Sequence, residues 1–112
     1  MKPKIFHCRT SKTGPTTPVT VRFTKYQSND QLAVQLICAK APWSPFATIT
    51  VNIPASNCLS PDLAFVDTNN CPWAKEFLEE NHIAKYTGNT GISGFCDYPL
   101  YKFNKDVIYE ND

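Results

Sequence analysis

Apolar and polar positions alternate most regularly between Pro18 and Tyr26, where Val19, Val21 and Phe23 are interleaved with Thr20, Arg22 and Thr24. A repeat of two is the signature of a strand with one face buried. Ser28-Asn29-Asp30 supplies turn chemistry, and alternation resumes over Gln31 to Ala39 with Leu32, Val34, Leu36 and Cys38 on one side. The two segments read as a hairpin. After the break at Ala41-Pro42-Trp43-Ser44-Pro45, Ala47, Ile49, Val51 and Ile53 oppose Thr48, Thr50 and Asn52. The expectation is a three-strand antiparallel meander with one apolar and one threonine-rich face.

Pro54 to Asp62 is small, polar or proline and reads as a loop, followed by the short apolar run Leu63 to Val66. The period then changes. Asn69 or Asn70 suits an N-cap, Pro72 a first helical turn, and Trp73, Ala74, Phe77 and Leu78 form one stripe, predicting a helix over Cys71 to Asn81. Burying Trp73 and Phe77 on the meander contributes roughly 1.5–3 kcal/mol per side chain, so the helix is the natural lid of the sheet. Gly88, Gly91 and Gly94 punctuate a loop. Tyr98 to Phe103 and Val107 to Tyr109 read as closing strands, with Pro99 placing the first at an edge or a bulge. The fold class expected is α+β: one antiparallel sheet led by the meander, with one amphipathic helix on one face.

Composition supports a single packed domain over residues 1–112, with residues 1–17 an irregular or edge segment. The chain has 112 residues, 42% hydrophobic and 19% charged, enough for one core and too few for two. No apolar run reaches signal-peptide or membrane-span length, so a cytoplasmic protein is expected. Five cysteines, Cys8, Cys38, Cys58, Cys71 and Cys96, form an odd and irregularly spaced set, which fits reduced thiols better than a disulfide framework.

The net charge of +1 conceals a division. Up to Ser56, seven basic residues face Asp30 alone; from Asn57 onward, nine acidic residues face four lysines, so the halves carry +6 and −5. Either the molecule is a dipole or the fold interleaves the halves.

Candidate chemistry fails on spacing. Zinc has thiols and two histidines to draw on, but no C-x-x-C pair, only the adjacent His7-Cys8 and a whole helix between Cys71 and His82. Cys71 at a helix N-terminus is the best candidate thiolate, yet His82 lies about 16 Å beyond it along a helix and cannot be its base. The spacing Gly88-x-x-Gly91-x-x-Gly94 lacks the following helix that a phosphate loop requires, and turns needing positive φ explain it better. No catalytic residue, metal ligand or cofactor is therefore assigned, and a non-enzymatic protein is expected. Binding is left. The basic half could hold nucleic acid if Lys4, Lys12, Arg22 and Lys25 converge, with Tyr26 or Trp43 stacking bases. The acidic set Asp67, Glu76, Glu79 and Glu80, together with Asp62, could instead dock on a basic groove of a protein partner.

Phe65-Val66-Asp67-Thr68-Asn69-Asn70-Cys71-Pro72-Trp73, the glycine segment, Phe95-Cys96 and Tyr98-Pro99-Leu100-Tyr101 resemble an uncharacterised family of small bacterial proteins of conjugative elements and prophages. Leu32 to Leu36 and Ala47 to Asn52 share in the resemblance, which spans residues 30 to 104 and omits the segment before Pro18. It carries no catalytic residues to transfer. What it implies is a mobile-element protein that binds and blocks a host defence protein, such as an anti-CRISPR inhibitor of a CRISPR nuclease. The expected contact is acidic, through Asp67, Glu76, Glu79 and Glu80; the alternatives are a nucleic-acid-binding accessory protein and a small zinc-supported domain.

Overall fold

In the computed structural model, which describes residues 2–53 and 60–110, the alternating segments become strands β2 (Thr16–Lys25) and β3 (Leu32–Cys38). They pair antiparallel from Val19↔Cys38 to Lys25↔Leu32, joined by a turn in which Asp30 takes φ of 58°. The segment before Pro18 supplies an edge strand, β1 (Phe6–Arg9), paired with β2. With β4 (Pro45–Thr48) they form sheet 1, in the order β1-β2-β3-β4.

The expected third strand of the meander is in fact two. β4 ends at Thr48 and β5 (Thr50–Val51) belongs to sheet 2, whose order is β5-β6-β8-β7, with β6 (Leu63–Val66), β7 (Ala84–Ser93) and β8 (Cys96–Phe103). Ile49 makes the handover: its N–H donates to the Val34 carbonyl at 3.0 Å, and its carbonyl accepts from the Asp67 N–H at 2.8 Å. Thr50, expected on the polar face, is buried because its Oγ1 accepts from the Val34 N–H (3.1 Å) and lies 3.0 Å from the Tyr26 hydroxyl. The single sheet is thus two sheets.

Three further expectations change. The helix, α1 (Ala74–Glu80), starts later than Cys71 and is capped by Trp73 without a side-chain hydrogen bond. The glycine segment is not a loop but most of β7, and only Gly94, with φ of 63°, lies in the turn into β8. Val107 to Tyr109 is no strand, only a single bridge from Tyr109 to Pro3. Pro99 does sit beside an irregularity, since the β7 register shifts between Tyr86 and Thr90, and β6 pairs only with Leu100 to Lys102. The proline therefore breaks no ladder on the β6 side. The loop expected at Pro54 to Asp62 lies largely outside the described residues.

One main core joins sheet 1 (Phe6, Val19, Val21, Val34, Leu36) to the inner side of sheet 2 (Ala64, Val66, Tyr101, Phe103) and to Ala74, Phe77 and Leu78 of α1. The helix stripe is buried as its spacing requires. A second cluster of Ile53, Phe65, Tyr98 and Leu100 occupies the other side of sheet 2. Alternate residues of β6 and β8 thus enter different clusters, which is why β6 reads as an unbroken apolar run.

Candidate functional site

The helix that carries most of the expected acidic contact is held by its own ends. Ahead of it, Asp67 is buried; its Oδ1 accepts from the Asn70 N–H (3.1 Å), its Oδ2 from Asn70 Nδ2 (3.0 Å), and its carbonyl from the Cys71 N–H (2.8 Å). This is an Asx-type turn that folds the chain into α1. Behind the helix, the Ile83 N–H reaches the Leu78 carbonyl (2.9 Å), and the His82 N–H reaches that of Glu79 (3.2 Å). With His82 at φ of 57°, this is a Schellman ending in which histidine takes the left-handed position that glycine usually fills.

The four acidic residues consequently have different surroundings. Asp67 is tied into the turn. The Glu79 Oε2 accepts a hydrogen bond from the Tyr101 hydroxyl (3.1 Å), and burial and that carboxylate push the Tyr101 phenol upward. Glu76 and Glu80 are exposed, one helical turn apart, and make no hydrogen bond or ion pair among the described residues. These two border a groove of about 620 Å³ that Pro72, Trp73 and Phe77 also line. Its opposite wall comes from β1, the loop after it and the start of β2: His7, Arg9, Thr10, Ser11, Lys12 and Thr16. The Trp73 ring is braced edge-on by Phe46 of β4, centroids 6.0 Å apart.

The halves of the sequence are therefore neither fully separated nor fully mixed. Sheet 1 takes the basic half and α1 with sheet 2 the acidic half, yet the groove sets cations of the first against carboxylates of the second. The basic wall was not legible in the sequence, because only the β1–β2 pairing brings Arg9 and Lys12 beside the helix. Nor do the four cations considered for nucleic acid converge. Lys4 lies 5.4 Å over the Phe6 ring, while Lys12 precedes β2 and Lys25 ends it, so the length of that ten-residue strand separates them.

Two of the thiols are placed for packing. Cys8 and Cys71 are both buried; Cys8 is pushed up to about 11 by burial and the neighbouring Cys71. Burial and Asp67 also raise Cys71, the opposite of what an attacking thiolate needs. Among the described residues no group of three or more His, Cys, Asp or Glu is arranged to hold a metal ion, and no helix is long and apolar enough to cross a membrane.

Residues 20–112 match the family described as Domain of unknown function (DUF4313). The helical wall of the groove lies inside that match, and the opposite wall, from His7 to Thr16, lies wholly before it. No curated protein and no solved structure matches the chain.

Proposed function

The chain belongs to the Domain of unknown function (DUF4313) family, and from that premise we propose that it is a non-enzymatic protein-binding domain of a bacterial mobile element. The observation that supports this reading is the groove edge formed by Glu76 and Glu80, two exposed carboxylates without partners among the described residues, beside Trp73. Unpaired charge next to a half-buried aromatic ring is the composition of a docking surface, where opposed potentials steer association and the ring supplies apolar contact. Asp67 and Glu79 drop out of the contact because their carboxylates are engaged internally. The partner class that the sequence resemblance implies is a CRISPR nuclease, whose nucleic-acid channel offers the required basic surface.

Reversing both carboxylates, Glu76→Lys with Glu80→Lys, tests the reading in a pulldown and inhibition assay against candidate nucleases. The expected result is a loss of binding of at least about tenfold, by the scale of interfacial charge pairs, with the melting transition retained. Asp97→Lys with Glu110→Lys makes the same change in net charge away from the groove and should leave binding intact. Equal binding by both double variants overturns the proposal.

A further inference from the structure

A second cleft, of about 900 Å³, opens where α1, β7 and β8 meet, and it shares no lining residue with the groove described above. Its floor is apolar, from Pro61, Ala84 and Phe103; its rim carries His82, Lys85, Lys102 and Lys105. Each element brings its basic side chain for a structural reason. His82 is fixed by the Schellman ending of α1, Lys85 and Lys102 by the β7–β8 ladder, and Lys105 by the turn after β8.

The ladder makes the arrangement costly. Lys85 and Lys102 are direct register partners, and like charges directly opposite on neighbouring strands destabilise a sheet. Two carboxylates also line the cleft, Asp62 with its Oδ2 3.9 Å from Lys102 Nζ and Glu79 accepting from the Tyr101 hydroxyl, so the three lysines outnumber them by one. Lys85 and Lys105 have no ion-pair partner among the described residues. A compact anion between them would relieve the repulsion and find three ammonium donors, while an apolar body rested on the floor. The volume is that of an ordinary small-molecule pocket, about 300–1,000 Å³.

We propose that this cleft binds a small organic phosphate, its phosphoryl group held by Lys85, Lys102 and Lys105 and its apolar portion lying against Phe103, Ala84 and Pro61. Calorimetric titration of the full chain with adenosine 5′-monophosphate at low salt should give one saturable site. Adenosine, which lacks the phosphate, should bind at least tenfold more weakly, and so should inorganic phosphate, which lacks the body. Lys85→Glu and Lys105→Glu should each weaken the monophosphate at least tenfold while keeping the melting transition. The site is refuted by no saturable binding of the monophosphate, by equal affinity for adenosine, or by binding that survives both reversals. Binding of an eight-nucleotide oligothymidylate without binding of the monophosphate refutes it as well, since the phosphate would then enter only as part of a polymer.

Discussion

Sheet 1 and sheet 2 have four strands each and antiparallel pairing throughout, yet they meet water in different ways. In sheet 1, β2 buries one face, with Val19 and Val21 in the core and Arg22 exposed, while the central strand β3 buries Leu32, Ala33 and Val34 in succession. Sheet 2 grades from one extreme to the other across its width. β6 is buried on both sides, β8 alternates between two clusters, and β7 at the edge is exposed at eight of its ten positions. Sheet 1 alternates clearly only in β1 and β2, since β3 has no exposed position, whereas the gradient in sheet 2 leaves one edge, with Lys85, Tyr86 and Gly88, available to solvent. Both candidate sites border α1, the element that covers the main core against these sheets.

The contrast can be broken at its strongest point, the claim that sheet 2 has a true second core. Phe65→Ala should cost about 3–5 kcal/mol, comparable with Phe6→Ala in the main core. Denaturant unfolding measures both, and a loss below about 1 kcal/mol at Phe65 would reduce that cluster to partly covered surface. A smaller effect is expected at Gly91, where an added Cβ would stand 2.6 Å from a Phe65 ring carbon and 3.1 Å from Ile53 Cδ1. Gly91→Ala should destabilise by about 1–3 kcal/mol through overpacking, and an unchanged melting temperature would mean that the ring does not close over β7. The smallest effect has the opposite sign. Lys85→Glu replaces a like-charge register pair with an opposite-charge one facing Lys102, and should stabilise the ligand-free domain by about 0.2–1 kcal/mol. Destabilisation there would show that the two lysines do not oppose each other.

The same gradient explains what the sequence disclosed. Alternation announced β2 and β3 because Val19 and Val21 of the one and Leu32, Val34 and Leu36 of the other enter the core at every second position, and a 3.6-residue stripe announced Phe77 and Leu78. β7 carries no alternation, since a strand exposed at eight of its ten positions has few places that call for an apolar residue, and its glycines read as a loop. Gly91 is there instead because Phe65 needs the space. The helix start was misplaced because turn chemistry was read into Asn69 and Asn70, while the side chain that organises the turn is Asp67. Of the candidate contact residues, sequence supplied Glu76 and Glu80 but not the wall opposite them. Likewise, Lys85 and Lys102 stand seventeen positions apart in the chain, and only the hairpin register makes them neighbours. Pairwise geometry of this kind has no local signature.

Ile49 has a mechanical consequence. A single residue bonds through its N–H to sheet 1 and through its carbonyl to the turn that follows β6, leaving no slack in which one sheet could pivot on the other. Opening either sheet must strain the backbone of the other, so the two should exchange their protected amides in one cooperative step. A ligand or partner arriving at either opening would meet a preformed surface, and rigid-body docking is the regime that applies.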